Sequence, residues 1–193
     1  MKSNIAIIMG HPYSESFCAG LAAAYAKGAT ESGAHVRIIN LSKMNFDPNL
    51  KYGYSHRMEL EIDLLNAQET IRWADHLVFV YPTWWGAMPA VLKGFIDRIF
   101  LPGFAYKYRP NSIFIDKLLK GKSARLIVTM DTPSWYNRFV YKQAGHHIMK
   151  RAILNFSGIS PVRITELGPV RTSTDQMREK WLAQIQKLGS KLA

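Results

Sequence analysis

Apolar residues recur along this chain in two alternating rhythms. Short apolar runs of strand length at 5–9, 35–41, 76–81, 124–130 and 162–167 are each followed by a longer stretch with apolar positions three and four apart. The pattern predicts five strands and five helices, the helices at 17–32, 57–74, 89–100, 138–156 and about 175–192. Runs such as Ile5-Ala6-Ile7-Ile8-Met9 are apolar on both alternating faces, as strands covered from both sides must be. Regular alternation of strand and helix predicts an α/β fold, a doubly wound five-stranded parallel sheet with helices on both faces. No repeat, low-complexity tract or linker divides the chain, so residues 1–193 read as one domain.

In such a sheet, ligands bind beyond the carboxyl ends of the strands, where the strand order reverses. That rule selects the loops at 10–17, 82–88 and 131–136. The first, Gly10-His11-Pro12-Tyr13-Ser14-Glu15-Ser16, runs into a helix N-terminus where free amides and hydroxyls can hold phosphate. Its serines could also serve only as helix caps. It is neither a G-x-G-x-x-G fingerprint nor a Walker loop. The second carries Pro82-Thr83-Trp84-Trp85-Gly86 between a buried strand and a helix opening at Pro89. Two adjacent tryptophans in a loop are costly unless something flat covers them, and a planar ring system would satisfy both the aromatic faces and the free amides. Two longer loops, at 45–56 and 101–123, are polar and aromatic enough to carry function.

Composition narrows the class. The chain is 48% hydrophobic and 20% charged, with a net charge of +11 that is unevenly placed. Residues 1–97 hold 8 basic and 9 acidic side chains, and residues 98–193 hold 17 and 5. The basic half reads either as a solvated surface or as a face for a phosphorylated ligand or a membrane. No helix-turn-helix, zinc spacing or aromatic-basic strand motif points to nucleic acid, so no nucleic-acid partner is expected. The single cysteine, Cys18, allows no internal disulfide and reads as a small packing residue. His146-His147 has no matching carboxylate or cysteine spacing, so no metal site is expected. Without a signal-peptide profile or an apolar run near the roughly 20 residues of a membrane helix, a cytoplasmic protein is expected.

With the three loops in register, the chain resembles the flavodoxin-like NAD(P)H:quinone oxidoreductases, the DT-diaphorase family in its short bacterial form. The resemblance spans most of the chain. It rests on His11 with Ser16-Phe17, on Met44-Asn45-Phe46-Asp47-Pro48, on Tyr81-Pro82 with Trp85, on Pro89-Ala90-Val91-Leu92-Lys93-Gly94, and on Phe104-Ala105-Tyr106-Lys107-Tyr108. It implies an enzyme that binds a flavin, FAD with FMN as the alternative, takes electrons from NADH or NADPH and reduces quinone-like acceptors by ping-pong transfer. By the same resemblance, His11, Ser16, Phe17 and Cys18 hold the flavin phosphates, and Pro82, Thr83, Trp84, Trp85 and Gly86 carry the ring. Thr129, Met130, Asp131, Thr132 and Tyr136 meet the ring edge. Tyr106 and Tyr108 wall the acceptor pocket of a partner subunit, which implies a homodimer with shared sites.

The chain departs from the family at two places. Cys18 stands where an asparagine is usual, and Thr129-Met130-Asp131-Thr132-Pro133 replaces a Thr-Thr-Gly-Gly loop. Asp131 beside a flavin requires local compensation or an outward orientation. His146 and His147 receive no role, because the hydride-relay pair of the larger enzymes does not align across the gap. The alternatives are a nitro or azo reductase, and a regulatory flavoprotein acting on a membrane transporter such as an ion-efflux system. A one-electron carrier fits poorly with so basic a chain.

Overall fold

A computed structural model describes residues 3–191. Its main sheet is built from β1 (Asn4–Met9), β2 (His35–Asn40), β3 (His76–Pro82), β6 (Ser123–Thr129) and β7 (Val162–Leu167), in the order β2-β1-β3-β6-β7. All four pairings are parallel. A two-stranded antiparallel hairpin, β4 (Tyr106–Tyr108) with β5 (Ile115–Lys117), stands apart from it.

Side chains alternate across the sheet and build two cores. Ile5, Ile7, Met9, Val78, Val80 and Ile127 face α1 (Phe17–Glu31) and α6 (Asp175–Ser190). Ala6, Ile8, Leu77, Phe79, Leu126 and Val128 face α2 (Ile62–Trp73) and α3 (Ala90–Ile99). The chain leaves β1 for one face and β3 for the other, so the reversal falls between these two strands. Glycine brings α1 and α6 together: a Cβ at Gly28 or at Gly189 would strike the carbonyl of Gln186 or of Tyr25.

The expected five-stranded doubly wound sheet is therefore the observed one. Three segments differ from expectation. Helix α2 begins at Ile62, not at 57, because Glu59 and Glu61 are drawn to Arg98 on α3. The 138–156 stretch is broken into α4 (Ser134–Phe139), α5 (Ala144–His147) and a π-helix (Ile148–Asn155). The break lies at Lys142 and Gln143, which take left-handed φ values of 49° and 52°. The 101–123 loop contains the β4–β5 hairpin. Leu192, the expected end of the last helix, lies outside the described residues. Among the described residues no helix is long and apolar enough to cross a membrane.

Candidate functional site

The reversal point opens because a glycine follows β1. Gly10 donates its amide to the Val80 carbonyl (2.8 Å), and a Cβ there would sit 2.8 Å from Leu92 Cδ2 and 3.2 Å from Tyr81 Cβ. The loop from His11 then climbs to Ser16, whose hydroxyl accepts from the Ala19 amide as the N-cap of α1. No acidic residue occupies the first turn of α1, so the positive end of its dipole is not neutralised there. The first-turn amides of Phe17 and Cys18 have no intrahelical acceptor.

Around this N-terminus lies a cleft of about 200 Å³ lined by His11, Ser16, Phe17, Cys18, Pro82, Thr83, Trp84, Thr129, Met130, Asp131 and Val170. Ten of these eleven are residues singled out in the sequence; Val170 is not. Val170 enters because the turn after β7 folds back onto the end of β6, with the Val170 amide donating to the Met130 carbonyl at 3.0 Å. Its only sequence signal is its place just past the fifth strand. Thr132 and Tyr136 lie outside the lining, Tyr136 being stacked edgewise on Trp135 and Tyr141.

The Trp84–Ala87 turn is closed by two backbone bonds, Trp84 N–H to Ala87 O (2.9 Å) and the reverse (3.0 Å). Trp85 and Gly86 both have positive φ, 50° and 74°, as a two-residue hairpin turn requires. Glycine accepts this freely and tryptophan does not, so Trp85 is a strained position with its side chain fully exposed. Neither residue lines the cleft. Their amides are not used in the turn's own pair of bonds.

Burial favours the neutral forms of His11 and Cys18 in the cleft. Burial keeps His11 below the ordinary imidazole value. Its Nδ1 accepts the Tyr13 amide at 3.0 Å, which assigns the proton to Nε2, and its ring meets Trp84 edge-on at 5.3 Å. Burial pushes the Cys18 thiol up to about 11, and its Sγ lies 3.4 Å from Thr129 Oγ1. A thiol so placed is not a nucleophile at neutral pH. The exposed Asp131 carboxylate accepts the Arg171 amide at 2.7 Å. Arg178 on α6 stands beside the same end, donating to Ser173 Oγ (2.9 Å) and Val170 O (3.4 Å), its guanidinium 6.0 Å from the Phe17 ring centroid.

Tyr106 and Tyr108 lie elsewhere. Their rings meet edge-on at 5.3 Å, on one side of β4 as their spacing implies. Tyr106 is buried against Phe156, and Tyr108 is exposed. Burial, with Tyr108 and Tyr54 nearby, pushes the Tyr106 phenol well above its ordinary value. Among the described residues no cluster of three or more metal-binding side chains occurs.

A family model described as a flavodoxin-like fold matches residues 3–188. An uncharacterized NAD(P)H oxidoreductase of Haemophilus influenzae is 30% identical over 195 residues, covering 98% of this chain and 96% of its own. The crystal structure of Smu.1420 from Streptococcus mutans superposes with a TM-score of 0.86 at 34% identity, over 99% of this chain and 100% of that one. The NAD(P)H:quinone oxidoreductase from Methanothermobacter marburgensis follows with a TM-score of 0.83 at 27% identity, over 100% and 98%. The chain belongs to the flavodoxin-like NAD(P)H:quinone oxidoreductase family and is an oxidoreductase.

Proposed function

We propose that this protein is a flavin-dependent NAD(P)H oxidoreductase that reduces quinones or related acceptors, donor and acceptor using one cleft in turn. The observation that carries this reading is the meeting, at the sheet's reversal point, of an unneutralised helix N-terminus with an aromatic wall. That donor set fits a phosphorylated planar cofactor. The Phe17 and Cys18 amides and the Ser16 hydroxyl would hold phosphate, helped by Nε2–H of His11. Pro82, Thr83 and Trp84 would bear the ring, with the Trp85 and Gly86 amides as donors to negative charge on it. Thr129, Met130 and Asp131 would meet its edge, with Thr132 next in the same loop and Tyr136 in α4 beyond it.

When bound, the flavin supplies two-electron chemistry between nicotinamide and acceptor, while the protein supplies placement and electrostatics. FAD is the form proposed, with FMN as the alternative and NADH or NADPH as donor. The cleft of one chain, about 200 Å³, is smaller than the roughly 300–1,000 Å³ of sites that enclose a drug-sized ligand. A second copy supplying Tyr106 and Tyr108 would complete it. Heating the purified protein and identifying the released cofactor by mass tests the reading, together with NAD(P)H oxidation in the presence of a quinone. Colourless protein that binds neither FAD nor FMN and oxidises no NAD(P)H would refute it.

A further inference from the structure

Glu166 on β7 is not part of the cleft lining, yet it gathers three donors on a single oxygen. Its Oε1 accepts His146 Nε2 at 2.6 Å, Gln143 Nε2 at 3.2 Å and Asn137 Nδ2 at 3.3 Å. His146 and Asn137 are buried. One carboxylate thus joins α4, the kink after it and α5 to the sheet. The kink consists of two successive left-handed residues that are not glycine, Lys142 and Gln143. Backbone of that kind persists only where its surroundings hold it.

Helix α5 in turn rests on the turn after β3. Gly145 has no room for a side chain: a Cβ would lie 2.5 Å from the Gly86 carbonyl oxygen and 3.5 Å from Ala87 Cα. Gly86 and the strained Trp85 are the two central residues of the Trp84–Ala87 turn, and Trp84 walls the cleft.

We propose that Glu166 is a positioning residue for the cleft: through His146, Gln143 and Asn137 it presses α5 onto Gly86 and so fixes the Trp84–Ala87 turn. The functional part of this inference rests on the flavin reading above. The carboxylate is needed for its acceptor capacity, because an alanine takes the shared acceptor from three buried or half-buried donors and leaves Asn137 Nδ2 and His146 Nε2 only each other, at 3.4 Å. A glutamine keeps one carbonyl oxygen with two lone pairs and retains most of the clamp.

Hydrogen exchange of the segment 82–88 tests the clamp without any cofactor, and titration with FAD and FMN tests its consequence. In Glu166→Ala the segment should exchange about tenfold faster than in wild type, since the strained turn opens locally when its brace is lost. Flavin should bind about tenfold more weakly, while Glu166→Gln should stay within about threefold of wild type on both measures. Gly189→Ala, which loosens α6 far from the turn, should lower the melting temperature and leave exchange at 82–88 unchanged. If Glu166→Ala does not fold, Gly145→Ala carries the test, its Cβ displacing the Gly86 carbonyl with the same two effects. Wild-type exchange at 82–88 with unchanged flavin affinity in a folded Glu166→Ala or Gly145→Ala protein overturns the clamp. Wild-type protein that binds no flavin would refute the flavin reading instead, and the exchange data would still decide whether Glu166 holds the turn.

Discussion

Burial displaces the titration of two groups at opposite ends of the sheet. His76, at the amino end of β3, bonds Ser123 Oγ through Nδ1 at 2.7 Å, and burial, with Arg125 and Arg163 nearby, pushes its pKa down to about 4. The unfolded imidazole titrates near 6.5. Below that value the unfolded chain takes up a proton that the folded chain refuses, so this contribution to stability is complete above pH 6.5 and is lost as pH falls toward 4. Comparing urea midpoints at pH 7.5 and 4.5, His76→Gln should lose about 2 kcal/mol less than wild type, its smaller acid sensitivity following from removal of this buried imidazole. Burial favours the neutral form of Cys18 too, but for a thiol that moves the pKa upward. Its thiol, near 11 when folded, should react with iodoacetamide at pH 8 about 100-fold more slowly in native than in urea-unfolded protein, because the thiolate fraction differs by that much.

Among the elements, the buried Arg98 ties the 45–61 loop to α3. It donates to the Asp47 and Glu59 carbonyls and forms a two-pronged pair with Glu61, at 2.7 and 3.2 Å. Arg98→Ala strands Glu61 and two carbonyls and should cost about 3 kcal/mol in urea unfolding, with Arg98→Lys recovering little because an ammonium cannot reproduce the fork. Gly189→Ala forces α1 and α6 apart and should cost about 2 kcal/mol, a drop of about 4–8 °C in melting temperature. These same contacts explain where the sequence was legible. Strands of near-continuous apolar residues, such as 5–9, and the helix faces of α1 and α3 announce themselves because local period and burial agree. The N-terminus of α2 does not, since a long-range bond to Arg98 pulls Glu59 and Glu61 out of a pattern that would otherwise continue. The kink at Lys142 and Gln143 is equally silent, because neither residue type favours positive φ and Glu166, more than twenty residues away, is what holds it. The cleft was legible through the rule of strand ends, and Val170 was missed because nothing in its own identity marks a valine as site-forming.

At the scale of the whole molecule, Tyr106 and Tyr108 stand outside the cleft lining of their own chain. Tyr108 is exposed on a hairpin bearing Ile113 and Phe114, and Phe156 and Tyr54 are exposed nearby, an aromatic face that one chain leaves open to water. If this face covers the cleft of a second copy, a closed two-fold dimer contains two sites, each built from both chains. Two variants then become complementary: Ser16→Asp, which places a negative charge at the proposed phosphate end, and Tyr108→Ala, which removes the wall offered to the partner. Each alone should lose most quinone reduction. Refolded together in equal amounts, half of the dimers should be mixed and each should hold one intact site, restoring about a quarter of wild-type activity. Sedimentation should show a dimer at micromolar concentration throughout. No recovery on mixing two individually inactive, dimeric variants would show that each site is built from one chain, and so would full activity in a monomer.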